Sequence, residues 1–241
     1  MGIVESVRAV RWARQRQPDQ VAYGIALGHE RFGPRELLDQ AVAAERAGFD
    51  LICCSDHLAP WWDPAQGTPA HCANAWVWLG AAGQATSEAS LGPAVSAIVH
   101  RYNPVVMAQQ AVPKVIAAHR KAAQEAGREP GEIILQGVVA AAGSDDLALE
   151  SSREWKATLA DEPYAEDVAD PAEVGAIGES VSDRKYKTMA ILSADPGTHV
   201  RQVKAMQAMG ATAVVLMNVS GADPIGTIRL YGEHVLPRLR S

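Results

Sequence analysis

The chain has 241 residues, 48% of them apolar and 21% charged, a globular composition that excludes disordered and fibrous classes. Its 28 acidic and 22 basic residues leave a formal net charge of −6, so no global basic field exists to hold nucleic acid or an anionic membrane as the main task. No apolar run approaches the ~20 residues of a membrane helix, Arg8, Arg11, Arg14 and Arg16 precede no apolar signal core, and Cys53, Cys54 and Cys72 are an odd set in a chain large enough to fold without disulfides. The expectation is a cytoplasmic protein with reduced thiols.

Taken in order, Val21 to Leu27 reads as a strand, and Gly33-Pro34-Arg35-Glu36 opens a helix with proline at its permitted first position. Leu37, Leu38, Ala41, Val42 and Glu45 keep the 3.6-residue period until Gly48 stops it. Leu51 to Ser55 is a second strand, followed by a long loop rich in Pro, Trp and His. Asn74 to Ala85 is helical and Ser90 to Ala97 is a third strand. Asn103-Pro104 caps a helix toward Ala126, with Pro113 as a kink or break inside it. A strand over Ile133 to Ala141 and a helix over Asp145 to Thr158 form a further unit. An acidic, mostly helical excursion then runs to about Asp183. A helix from Thr198 to Gly210, a strand from Ala213 to Met217 and a helix from Pro224 to Arg238 complete the chain.

Five strands alternating with helices predict an α/β fold with a parallel sheet of βα units. The expected organisation is a basic N-terminal extension over residues 1–20 and a single domain over 21–241. Neither a dinucleotide fingerprint nor a Walker loop follows the first strand, which argues against a nucleotide-binding doubly wound fold. Polar and aromatic residues cluster instead after strands, where βα barrels carry their chemistry. Residues 129 to 183 hold 14 Asp and Glu against Arg153 and Lys156 alone, a local balance of −12 that reads as a solvated acidic surface.

The richest stretch is Ser55-Asp56-His57-Leu58-Ala59-Pro60-Trp61-Trp62. A histidine there suits a general base near neutral pH, and a tryptophan supplies a flat apolar wall for a ring. The same residues equally suit packing under a barrel rim. Cys53, Cys54, His57, His71 and Cys72 are zinc-ligand types, but adjacent strand residues point to opposite faces and the spacing matches no standard site, so no metal is expected. Consecutive Ser55, Asp56 and His57 cannot form a nucleophile triad with one another. Glu30 lies just past the first strand, on the same rim. Ala94, Val95 and Ser96 end the third strand, where small residues let a planar cofactor approach the backbone or simply pack. Lys187, near an element boundary, suits an anionic ligand or a solvated surface.

These residues carry a resemblance. Glu30 to Leu37, Ala44 to Asp50, Ser55-Asp56-His57 with Pro60-Trp61, Arg101-Tyr102-Asn103-Pro104 and Ala108-Gln109 resemble the deazaflavin-dependent oxidoreductases of the bacterial luciferase-like superfamily. Among these the sequence is most similar to the F420-dependent glucose-6-phosphate dehydrogenase group. Glu154-Trp155-Lys156, Asp170-Pro171, Asp195-Pro196 and the closing Leu236 to Arg240 extend the likeness.

The resemblance implies a βα barrel with coenzyme F420, or FMN as the alternative, at its C-terminal rim, and hydride transfer between cofactor and a substrate alcohol or carbonyl carbon. It implies His57 as the base, Trp61 as its aromatic partner and Glu30 as a carboxylate near the substrate. Asp56, Ala94, Val95 and Ser96 would contact the cofactor, with Val95 at a non-prolyl cis peptide and Ala94 replacing a serine. Lys187 is the one plausible contact to an anionic substrate group, so glucose 6-phosphate is not the expected substrate. Between Gln110 and Val115 the chain skips a stretch on the order of a hundred residues of such a barrel, with three strands, a second catalytic carboxylate and a glycine-rich phosphate loop. The expectation is therefore a TIM-barrel-derived but incomplete sheet of about five parallel strands, the 133 to 141 strand beside the 90 to 97 strand, with the gap covered by the acidic excursion or by a homodimer partner. A shortened, non-catalytic flavin-binding or interaction protein is the competing expectation.

Overall fold

The alternating strand and helix periods build one parallel sheet in a computed structural model, which describes residues 20–57, 71–93, 101–102, 111–160, 162–165, 168, 170–221 and 223–241. The strands are β1 (Ala22–Leu27), β2 (Leu51–Cys54), β3 (Ser90–Pro93), β4 (Arg101–Tyr102), β5 (Ile134–Ala140), β6 (Ala190–Leu192) and β7 (Ala213–Asn218). Their order is β3-β2-β1-β7-β5-β4, with β6 also on β5. Every pairing is parallel, as βα connections require. The barrel is not closed among the described residues. This is the incomplete barrel-derived α/β architecture expected, with seven strands among the described residues in place of five. The two extra strands are two and three residues long, too short to show a period.

The expected strand neighbours need correction. One edge of β5 pairs with β7 from Ile134↔Ala213 to Val139↔Asn218. The other edge is shared, by β4 at Ile134 and Leu135 and by β6 at Val138 to Ala140. β3 pairs with β2 instead. The reason lies in β7, whose continuous apolar run suits a strand covered on both faces and which sits between β1 and β5.

The helices α1 (Pro34–Ala47), α2 (Ala75–Ala85), α3 (Val112–Glu125) and α4 (Asp145–Ser151) are followed by a 3-10 segment, Arg153–Leu159. Then come α5 (Pro171–Ser180), α6 (Asp183–Met189), α7 (Pro196–Ala208) and α8 (Pro224–Leu230), which runs through a π-helical turn, Tyr231–Val235, into α9 (Leu236–Arg240). Pro113 stands in the first turn of α3, where its missing N–H costs nothing, and the part of the expected helix over 103–110 lies outside the described residues. The helix expected over Asp145 to Thr158 breaks at Ser152, whose hydroxyl donates to the carbonyls of Ala148 and Leu149. α7 starts ahead of Thr198 because the Asp195 carboxylate caps it, accepting the Gly197 and Thr198 N–H groups at 2.8 and 2.9 Å. Gly48 ends α1 at φ 91°, a left-handed conformation that a side chain would strain.

Side chains alternate across the sheet. Tyr23, Ile25, Leu27, Ile52, Cys54, Leu135, Val139, Val214 and Leu216 share a buried core with Leu37, Trp78, Ile116, Val203 and Leu239 from the helices. On the opposite face, Ala22, Ala26, Leu51, Cys53, Ala213 and Val215 form a second, small-residue cluster. Val138 and Ala140 pack there against Leu149, Trp155, Leu159 and Tyr186. The acidic excursion thus lies on the inner face of β5 and also delivers β6 to its outer edge. The C-terminus closes onto the first βα unit, with Arg240 donating to Gly48 O at 2.7 Å and to the Asp50 carboxylate at 2.9 Å.

Candidate active site

β1 and β2 run in register through Leu27↔Cys54, and the Ser55 N–H continues the ladder to Leu27 O at 3.1 Å. Their C-terminal loops, Gly28 to Arg31 and Ser55 to His57, therefore leave the sheet side by side. A turn closed by the Arg31 and Phe32 N–H groups on Gly28 O folds the first loop back. Gly28 is needed there, because a Cβ would meet the Trp155 ring at 2.8 Å.

This fold-back buries Glu30 at the end of the sheet, 3% exposed. Its Oε2 accepts the Ser55 hydroxyl at 2.8 Å, and its Oε1 lies 3.1 Å from His57 Nε2. Ser55 Oγ in turn accepts the His29 N–H at 2.7 Å. The His57 side chain remains 31% exposed, so the pair has a dry end and an end open to a ligand. With Nε2 carrying the proton donated to Glu30, the hydrogen bonding assigns the basic lone pair of neutral His57 to Nδ1.

Other groups shape the rim. His29 Nδ1 bonds Ala73 O at 3.1 Å, so this nitrogen carries the ring proton, and the ring stands edge-on to Trp78 at 5.2 Å. His29 Nε2 is buried with no hydrogen-bond partner, and burial holds this imidazole below the usual histidine range, hence neutral. The His71 N–H donates to Glu30 O at 3.0 Å, and Cys72 Sγ to His57 O at 3.0 Å. Arg31 pairs with Glu154 at 3.0 Å and ties the rim to the excursion. Burial pushes the Cys54 thiol up to about 12, so it is an inert core group.

Of the residues singled out in the sequence, the structure brings Glu30 and His57 into contact, with half-buried Asp56 beside them in the chain. Trp61, Ala94, Val95 and Ser96, including the cis peptide expected at Val95, lie outside the described residues. Lys187 sits on α6 and pairs with Asp146 at 3.6 Å. It lines a small cleft with Gly137, Gln202 and Met206 beside β5, so β1 and β7 separate it from β2 and His57. Ser55, His29 and Trp155 are parts of the site that sequence reasoning assigned no role. Ser55 stood in the Ser-Asp-His motif, but only the register of β1 against β2 shows what its hydroxyl reaches. No group of three or more His, Cys, Asp or Glu is set to hold a metal ion among the described residues, nor is any helix there long and apolar enough to cross a membrane.

A parallel βα sheet with a carboxylate-backed histidine on its C-terminal rim defines the class, and residues 8–113 match the family of luciferase-like monooxygenases. That stretch, under half of the chain, is similar to the family and holds the motifs quoted for it from Glu30 to Gln109. Within the class it is similar to the F420-dependent glucose-6-phosphate dehydrogenase of Segniliparus rotundus, 43% identical over 89 residues, which are 37% of this chain and 25% of that protein. The chain thus spans about a quarter of the length of such curated relatives. Among solved structures it is similar to an F420-dependent secondary alcohol dehydrogenase in complex with an F420-acetone adduct, with a TM-score of 0.80 at 18% identity over 92% of this chain and 100% of that one. The FMN-bound oxygenating constituent of 3,6-diketocamphane monooxygenase from Pseudomonas putida gives a TM-score of 0.57 at 13% identity over 90% and 98% of the two chains. At these identities the likeness is one of fold.

Proposed function

We propose that this chain is an F420-dependent oxidoreductase that interconverts an alcohol and a carbonyl compound, with His57 as the general base. The Glu30–His57 pair at 3.1 Å carries the reading. A bound deazaflavin would supply the site for the hydride. In the oxidative direction His57 takes the proton of the substrate hydroxyl as the carbonyl forms, and Glu30 stabilises the resulting imidazolium. The donor set fits such a group. The half-exposed imidazole opens onto the rim beside Asp56, while the carboxylate stays buried behind it.

Asp56, Ala94, Val95 and Ser96 are proposed to hold the cofactor and Trp61 to flank His57, as the resemblance implies. F420 is favoured over FMN by the curated relatives. Lys187 is assigned no step, because its cleft is separate. Fluorescence titration should show F420 binding in wild type and in His57→Ala, tighter than FMN. Alcohol-dependent bleaching of the deazaflavin absorbance should fall by about 10²- to 10⁴-fold in His57→Ala. Absence of F420 binding overturns the proposal, and binding without any hydride transfer would make the chain a non-catalytic member.

The chain is further proposed to act as a homodimer through α2, which carries no charged residue and leaves Trp76 and Val77 exposed. An uncharged apolar helix face suits a second copy of itself, where neither side desolvates a charge. Sedimentation should give a dimer that Trp76→Lys dissociates, and a wild-type monomer would dispose of the idea.

A further inference from the structure

We infer that Ser55 is a positioning residue that aims Glu30 at His57, through a one-directional relay from the His29 backbone amide. The inference rests on the proposed role of His57 and adds a residue to it. A serine hydroxyl has one proton and two lone pairs, and it rotates to suit its partners. The His29 N–H has only a donor to offer, and it occupies a lone pair of Ser55 Oγ at 2.7 Å. The hydroxyl proton is thereby turned onto Glu30 Oε2, 2.8 Å away. With Oε2 engaged, Oε1 faces His57 Nε2 at 3.1 Å. Each bond in the chain sets the sense of the next, ending on the imidazole.

The relay is rigid for reasons of backbone. Ser55 is held by its own N–H on Leu27 O, and Glu30 by its carbonyl under the His71 N–H. Both side chains are buried, so water does not compete for the carboxylate. Charge-assisted hydrogen bonds of this kind are the strong ones. Removing the hydroxyl would leave the His29 N–H and Glu30 Oε2 buried and unpaired, and Glu30 able to rotate away from the imidazole. Among the described residues, the titratable groups around the pair are His29 on the β1 loop, Asp56 beside His57, and His71 and Cys72 on the segment that returns over them.

The test compares wild type, Ser55→Ala, Ser55→Thr and Glu30→Gln, each first shown to melt cooperatively. In the cold, without cofactor, the carboxylate-bonded imidazole N–H of His57 should give a downfield proton resonance that survives in wild type and Ser55→Thr. It should be lost to solvent exchange in Ser55→Ala and in Glu30→Gln. With cofactor, Ser55→Ala should lower kcat for hydride transfer about ten- to a hundredfold at little change in KM, and Ser55→Thr should restore it. A folded Ser55→Ala that keeps the resonance overturns the relay, as does a Glu30→Gln that keeps it. If Ser55→Ala does not fold, Ser55→Thr decides, because its retained hydroxyl must retain the resonance. The spectrum needs no cofactor, so a failure of F420 binding counts against the functional reading and leaves the relay to be judged by the resonance.

Discussion

Glu30 on the β1 rim and Asp183 in the acidic excursion are both carboxylates gripped by two side chains, yet they are built for different work. Glu30 is 3% exposed and holds a serine hydroxyl and an imidazole, a side chain suited to general-base work. Asp183 is 43% exposed and holds Lys156 at 2.9 Å and Arg153 at 3.0 Å. Those two are the only basic residues among 14 acidic ones in residues 129 to 183. A dry carboxylate behind a part-exposed imidazole orients that ring toward the rim. A wet one between a lysine and an arginine clamps structure, here by pairing the buried Lys156 side chain.

The two regions meet at Trp155, and the largest effect on stability is expected there. Its ring is buried among Val138, Leu149 and Tyr186 and lies against Gly28, two residues before Glu30. Trp155→Ala should cost about 3–5 kcal/mol in equilibrium unfolding. It should also weaken hydride transfer, because the Gly28 turn that presents Glu30 loses its backing. Loss of stability with unchanged turnover would show that the rim stands without the excursion and that the two regions are independent.

Much of the rim is legible in the sequence, and the reason is local. Glu30 and Ser55-Asp56-His57 each directly follow a strand whose period is plain, so their placement on one end of the sheet needs no tertiary knowledge. Their contact does, since it depends on the Gly28 fold-back and on the Leu27↔Cys54 register. The excursion is less legible. Its apolar residues continue a helical period past Ser152, and the hydroxyl that ends α4 competes with the backbone in a way composition does not reveal. β6 is three residues between a helix and the Asp195 cap, and its existence depends on the open edge of β5. The order of β5 and β7 is likewise invisible locally, because any parallel apolar strand could take either place.

The smallest effect concerns acid, and it separates the two regions by pH. His29 on the rim and His199 under α7 are both buried and both held below the usual histidine range, chiefly by desolvation. His199 bonds Tyr231 Oη at 2.9 Å and Ser193 O at 3.0 Å, so Nε2 carries the ring proton. A histidine whose folded pKa is depressed binds fewer protons folded than unfolded. Its contribution is therefore complete above the ordinary value of 6.5 and is lost as pH falls from there toward the folded value. Asp183 is depressed by its bonds to Lys156, the larger cause, and to Arg153. Asp145 is lowered by the Ala194 N–H and Ser193 hydroxyl, and Asp195 by the α7 amides and the Thr198 hydroxyl. Carboxylates of this kind stabilise above the ordinary value of 3.8 and lose that contribution only as pH falls below it. Stability followed by unfolding should therefore decline in two stages as pH falls. Asp183→Asn should flatten part of the second stage by less than the Trp155→Ala effect and leave the first untouched. A change in the stage below pH 6.5 would instead mean that the excursion clamp and the buried histidines titrate as one coupled network.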